Sequence, residues 1–399
     1  PPMKIDPSFR VKMLPPYLFG KLNALKYEKR QKGIDIIDLG MGNPMDPTPK
    51  RVVDKLCEAV RDPRNHRYST ATGIFNLKRE VAQVYARRYG VAIDPAGEVI
   101  CTIGSKEGFS HFCLALLGPG DLVVVPQPAY PIHSFAVALA GASVVGVPLE
   151  NEEQLLRDVE RAMRSLMPRP KAVVLNFPHN PTARTVERDF FEDMARLARK
   201  HRFLVISDMA YAATTFDGYQ APSFLQTKYG KEVAIEFSTM SKEYNMAGWR
   251  IGFAVGNAEA VGALGRLKAY YDYGIFQPVQ IASIIAMRHC AAEAAEQAQR
   301  YQRRRDILCE GLARAGWEAE KPRASMFVWT KIPAPYARMG SVKFAYELME
   351  KALVAAAPGA GFGEAGEGYL RLALVENEKR LRQAVAQIRR AFPAAGARA

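Results

Sequence analysis

At 399 residues the chain exceeds one minimal core and suits a larger and a smaller domain of roughly 100–200 residues each. With 48% apolar and 24% charged residues spread along it, the composition excludes a disordered chain, and no apolar run reaches the ~20 residues of a membrane span. The net charge of +14 forms no basic face, because its densest run, Arg303-Arg304-Arg305, lies near Glu293, Glu296 and Asp306 and reads as a solvated helix face; nucleic acid is not an expected partner.

The first residues, with Lys4, Asp6, Arg10 and Lys12, lack the apolar core of a signal peptide. A Pro-rich start and a strand-like stretch at 34–39 follow. From about 49 to 255, helical stretches alternate with short β-branched runs at 99–103, 122–126, 143–147, 172–175, 203–207, 233–237 and 251–255. Such alternation predicts an α/β fold with a mainly parallel sheet covered on both faces, and ligands beyond the carboxyl ends of its strands.

After Tyr273 the pattern changes to a long helix at 279–315, a strand at 326–331, a helix at 342–355, a Gly-rich loop at 359–368, a strand at 369–375 and a last helix. The expected division is a large domain at 46–285 and a small α+β domain made of 1–45 with 286–399. The tail 394–399 reads as linker. Cys57, Cys101, Cys113, Cys290 and Cys309 form no CxxC pair and read as buried thiols, which predicts a reducing, cytoplasmic setting and no metal.

Four polar features fall just after predicted strands. Asp208, with Tyr211 three residues on, is either a cap or a carboxylate facing a cation in the cleft. Asn180, in the turn Asn176-Phe177-Pro178-His179-Asn180-Pro181-Thr182, either shapes the turn or aims an amide into the cleft; His179 beside it reads as a loop histidine. Gly104-Ser105-Lys106-Glu107-Gly108 suits an anion at a helix start, although an ordinary N-cap at Ser105 accounts for the same residues. It is no Walker loop. Lys242 stands in STMSKEYNMAGWRIGF, which is too apolar for a plain surface loop. Arg250, eight residues on, either neutralises a phosphate or pairs with an acid such as Glu243. A partly desolvated lysine near a cation has the lowered pKa that an imine-forming amine requires.

The run SKxYNMAGWRIGF, together with NPT, SDxAY and Leu370-Arg371-Leu372-Ala373-Leu374, resembles the class I/II pyridoxal-phosphate aminotransferases of fold type I over about residues 14–392. The strings LPPY, GMGNP, YSTATG, IGSKEG, PAYPIH, YDYG, RASMFVW and PGAGFG look like the glutamate–pyruvate, alanine-forming branch, with diaminopimelate aminotransferases as a related branch. The resemblance implies that Lys242 is the Schiff-base lysine and Asp208 the partner of the ring nitrogen. By the same resemblance Tyr211 and Asn180 donate to the ring 3-oxygen and Tyr130 stacks on the ring. Ser105, Lys106, Thr239 and Arg250 would hold the phosphate, with Tyr68 contributed by the second subunit of a homodimer. The family usually has Ser or Gly where Thr239 stands. Arg371 would clamp the substrate carboxylate, helped by Gly42 and Asn180.

The implied activity is ping-pong transamination between an L-amino acid and a 2-oxo acid, with Lys242 as the base. Lys106, Tyr271 and Tyr273 are candidates for contact with the substrate side chain. Three alternatives stay open at this point: another amino-acid specificity, a C–S lyase or decarboxylase on the same fold, and a non-catalytic relative. The stretch at 359–363 imitates a dinucleotide loop, but a strand follows it rather than a helix.

Overall fold

A computed structural model describes residues 3–15 and 18–393; the expected tail at 394–399 and the end of the LPPY string lie outside them. In chain order the strands are β1 (Ile37–Asp38), β2 (Val99–Thr102), β3 (Leu122–Gln127), β4 (Ser143–Pro148), β5 (Ala172–Asn176) and β6 (Leu204–Asp208). They continue with β7 (Ala234–Thr239), β8 (Gly252–Gly256), β9 (Phe327–Lys331), β10 (Val354–Ala355), β11 (Ala357–Pro358) and β12 (Tyr369–Ala373).

Seven of these strands make one sheet in the order β2-β8-β7-β6-β5-β3-β4. Only β8 runs against its neighbours, so the other six share one carboxyl edge. Alternate residues serve opposite faces. Val173, Leu175 and Val205 join one apolar cluster, and Ala172, Val174 and Ile206 join the other. This two-sided burial is why AVVLN and its neighbours carry almost no polar residue. The exception is Glu236 in β7, which is fully buried and accepts from Tyr85, Ser207, Ser223 and the Phe224 N–H. Four donors are what a carboxylate in that position requires.

The remaining strands form an antiparallel sheet β11-β12-β9 and a parallel pair β1-β10, over a third cluster that includes Leu308, Phe344, Leu372 and Leu381. The strand expected at 34–39 is shorter, because only Ile37 and Asp38 find a ladder partner. The helix expected at 279–315 is two helices, Gln277–His289 and Ala291–Arg314, parted at Cys290.

We propose 46–285 as the large domain and 1–45 with 286–399 as the small one. The helix Ala291–Arg314 straddles them: Ala294 packs in the large-domain core, and Leu308 and Leu312 pack in the small. That helix corrects the reading of its arginine run. Arg304 and Arg305 are each only 3% exposed, because carboxylates on other segments pair with them; Arg303 alone faces solvent. Four cysteines are buried and Cys57 is exposed, and all five are free thiols. Among the described residues no helix is long and apolar enough to cross a membrane.

Candidate active site

The shared carboxyl edge delivers β2 to Gly104, β3 to Tyr130, β5 to Asn180, β6 to Asp208 and β7 to Lys242. Arg250 reaches the same edge from the start of the reversed strand β8. Across from them, the β1–Asp46 segment and β12 close a cavity of roughly 650 Å³. Its walls include Gly42, Ser105, Lys106, Tyr130, Asn180, Asp208, Tyr211, Thr239, Lys242, Arg250 and Arg371.

Lys242 sits in a one-turn helix, Met240–Glu243, whose start is capped by Thr239 Oγ1 accepting from the Ser241 N–H at 3.2 Å. The same hydroxyl donates to the Ile251 carbonyl at 3.1 Å, so it fastens the turn to the start of β8. The Lys242 amine donates to the Gly42 carbonyl at 2.7 Å. Burial, and then the guanidinium groups of Arg371 and Arg250, lower its pKa to about 8 from the ordinary 10.5. Because the native value lies below the unfolded one, protonated Lys242 opposes folding below about pH 8 and this cost is relieved as pH rises from there to 10.5. In protein stripped of bound aldehydes, the rate at which Lys242 condenses with a small aldehyde should rise through pH 8 and then level. Arg371→Leu should move that midpoint upward; an unmoved midpoint counts against the coupling.

The anion cradle lies between Gly104 and Arg250. Arg250 has left-handed backbone (φ 56), as Gly104 has (φ 77), and a Cβ on Gly104 would collide with the Arg250 guanidinium. Arg250 donates to the carbonyls of Ala247 and Ile103, and the acid suggested for it, Glu243, pairs with Arg88. Its charge therefore faces the start of the helix Ser105–Leu116, whose first turn has N–H groups without intrahelical partners. Gly104, and not Ser105, is the N-cap, and it makes no side-chain cap.

At the end of β6, Asp208 Oδ2 is 2.9 Å from His133 Nε2, and Oδ1 accepts from the Ala210 N–H at 3.1 Å. Both side chains are buried. The Asn176 amide holds the Asp208 carbonyl at 2.8 Å and its oxygen accepts the Asn180 N–H at 2.9 Å, so one asparagine registers β5 against β6. Asn180 then donates to Tyr211 Oη at 3.3 Å. Burial raises the Tyr211 pKa well beyond the ordinary range, so the phenol keeps its proton as a donor.

Arg371 projects from β12 with 6% exposure, stacked over Phe327 and Phe362 at 4.0 and 4.7 Å. It donates to Asn180 Oδ1 at 2.8 Å and to the Gly40 carbonyl at 3.1 Å. Gly42 has no room for a side chain, because a Cβ would stand 2.6 Å from the Phe327 ring. That ring supports the arginine.

Of the residues given a cofactor or substrate role from sequence, all but Tyr68, Tyr271 and Tyr273 line this cavity. Tyr68 is 90% exposed and stands outside it, against Tyr273 at 5.4 Å; Tyr271 lies outside as well. His179 is a loop histidine but a buried one, bonded to Thr182 Oγ1 at 2.7 Å, and burial, with His133 and Arg184, lowers its pKa to about 3. The sequence reading assigned no role to His133 or Glu236. The string PAYPIH contains the first without marking it, whereas a lone acid in the apolar strand AIEFST was a signal for the second.

These groups fit pyridoxal phosphate: an amine whose pKa is lowered to about 8, a buried carboxylate for the ring nitrogen, and a dianion cradle at a helix start with an arginine over it. Residues 34–388 match the family described as aminotransferase class I and II. The chain is 50% identical to the glutamate-pyruvate aminotransferase AlaC of Escherichia coli, covering 97% of this chain and 94% of that one. It is 43% identical to an LL-diaminopimelate aminotransferase of Moorella thermoacetica, over 96% and 97%. Aspartate aminotransferase from Thermus thermophilus with maleate superposes with a TM-score of 0.89 at 31% identity, over 98% of this chain and all of that one. The chain therefore belongs to the class I and II aminotransferases, and is a fold type I enzyme that uses pyridoxal phosphate to move amino groups between amino and oxo acids.

Proposed function

We propose that the chain transfers the amino group of L-glutamate to pyruvate, giving 2-oxoglutarate and L-alanine. The observation that carries this reading is the meeting of the Lys242 amine, the Asp208 carboxylate and the Arg371 guanidinium in one cavity. Five cations line it, Arg30, Lys106, Lys242, Arg250 and Arg371, against the acids Asp38, Asp208 and Glu376, a balance that suits anionic substrates. Similarity to the E. coli enzyme supports the glutamate–pyruvate pair.

Pyridoxal phosphate, when bound, supplies an aldehyde carbon that links to amines and a cationic ring that takes up an electron pair. Asp208, held by His133, would keep the ring nitrogen protonated; Tyr211 and Asn180 would donate to the ring 3-oxygen, and Tyr130 would cover the ring. Ser105, Lys106, Thr239 and Arg250 would hold the phosphate. Arg371 binds the substrate α-carboxylate in two parallel hydrogen bonds, with Asn180 and the Gly42 backbone beside it, and so orients the α C–H bond. The Lys242 amine would serve as the base that takes the proton from the substrate α-carbon. A panel of amino donors and oxo acids tests the assignment. Glutamate and alanine should each convert the cofactor to its amine form, with 2-oxoglutarate and pyruvate reversing it. Turnover with diaminopimelate but not alanine would replace the substrate pair.

The working unit is a homodimer in which Tyr68 reaches the phosphate of the partner's site, and Tyr271 and Tyr273 lie beside that entrance. The support is the exposed aromatic tract of Tyr68, Tyr270, Tyr271, Tyr273 and Phe276 on a chain whose own cavity omits Tyr68. Subunits carrying Lys242→Ala and Tyr68→Ala, inactive or weak alone, should regain about a quarter of native activity when mixed at random, since half the dimers then hold one intact site. No gain on mixing would remove Tyr68 from the partner's site. A cytoplasmic setting accords with the five free cysteines.

A further inference from the structure

Arg304 and Arg305, the buried pair of the arginine run on the helix Ala291–Arg314, have no part in the chemistry above, yet one of them touches both walls of the substrate site. Arg304 grips Asp46 in two parallel bonds, Nη1 to Oδ2 at 2.7 Å and Nη2 to Oδ1 at 2.8 Å. Nη1 also lies 3.4 Å from the carbonyls of Leu374 and Val375, three and four residues beyond Arg371. Asp46 is four residues beyond Gly42, whose carbonyl takes the Lys242 amine, and it also accepts from Gln297 at 2.9 Å and is ion-paired with Arg300 at 3.3 Å.

The tail of β12 and the segment from Leu39 to Asp46 thus run side by side and are fastened at three places. The Ala373 N–H donates to the Leu39 carbonyl at 2.7 Å, Arg371 donates to the Gly40 carbonyl, and Arg304 bridges Leu374 and Val375 to Asp46. The first two fasteners belong to the strands and to the substrate arginine. The third comes from the helix that straddles the two domains, and it grips the segment at Asp46, where the chain passes from the small to the large domain. Substrate binding places a carboxylate on Arg371 and an amine near Lys242, so the distance between these two segments decides whether both ends fit.

We propose that the Asp46–Arg304 pair is a positioning device that holds Arg371 in register with the Gly40–Gly42 backbone, so that both chain crossings between the domains set the substrate carboxylate site. It rests on the reading of Arg371 as that site. Arg305, the next residue, is equally buried, but it binds Asp217 and the Pro322 carbonyl, on neither of the two segments. It is therefore an internal control for burying a cation on this helix.

The test uses holoenzyme and measures KM, kcat, the inhibition constant of maleate and thermal stability for Arg304→Lys, Arg305→Lys and Arg371→Lys. Arg304→Lys keeps the charge and loses the two-pronged grip; it should raise KM and the maleate constant about tenfold, with kcat within about threefold of native, because a carboxylate contact made alike in the bound substrate and the transition state is lost from binding. Arg305→Lys should lower the melting temperature and leave both constants unchanged. Asp46→Asn, which preserves shape, should move KM in the same direction as Arg304→Lys and serves if that variant does not fold. Equal effects of Arg304→Lys and Arg305→Lys on maleate binding, or lost stability at unchanged KM in both Arg304→Lys and Asp46→Asn, would overturn the proposal. If Arg371→Lys binds maleate as tightly as native enzyme, the Arg371 reading fails instead.

Discussion

Lys242→Ala is expected to leave a folded protein whose turnover falls by more than about a thousandfold, the range set by loss of a positioned general base. Alanine removes the amine that donates to the Gly42 carbonyl at 2.7 Å and whose pKa is lowered to about 8. Folding should survive, because the side chain opposes stability while protonated, and its removal leaves a polar, open cavity rather than a void in the apolar core. The measurement is single-turnover formation of oxo acid from glutamate, beside the visible band of cofactor linked to lysine. The band should be absent and turnover negligible at every pH. Added methylamine should restore part of the rate, since a free amine can take the proton that Lys242 no longer takes. Turnover within tenfold of native would remove Lys242 from the chemistry.

Arg371→Leu should raise KM for both the amino acid and the oxo acid by about a hundredfold, since a paired charge-assisted contact is worth about 2–3 kcal/mol. The loss falls on two fronts. The substrate carboxylate loses its guanidinium, and Asn180 Oδ1 loses the donor now held at 2.8 Å, which frees the amide that positions Tyr211. Leucine can still pack between Phe327 and Phe362, so stability should change little, and thermal unfolding checks this. The amine of Lys242 should titrate closer to its ordinary value, because Arg371 is the larger of the two charges that depress it. A KM unchanged for both substrates would mean that the carboxylate binds elsewhere in the cavity, with Lys106 or Arg30 as the remaining cations.

The sequence alone determined the order of the elements and which polar residues stand at their ends. All seven strands of the large sheet were legible as short, mostly apolar runs that stop at a polar turn; the inner ones are apolar because both faces are covered, whereas β4 at the edge is partly exposed. The residues after those stops, Ser105, Asn180, Asp208 and Lys242, were legible as a set: three of them also fit an ordinary cap or turn, and it is their meeting at one carboxyl edge that points to a ligand. Lengths at the small domain's edges were less legible, since whether residues 34–36 join a strand depends on a partner that arrives more than 300 positions later.

Only the tertiary structure decided which polar residues are paired and which are solvated. Arg304 lies in a polar helical run that reads as surface, and it is buried because Asp46, 258 positions away, covers it. His133 acquires a role from Asp208, 75 positions on, and the Lys242 amine finds its acceptor 200 positions back. A solvated charge and a buried one have the same local sequence. What separates them is a counter-charge brought by the fold, whose attraction and hydrogen bonds offset the lost water, and no window of neighbouring residues contains that partner.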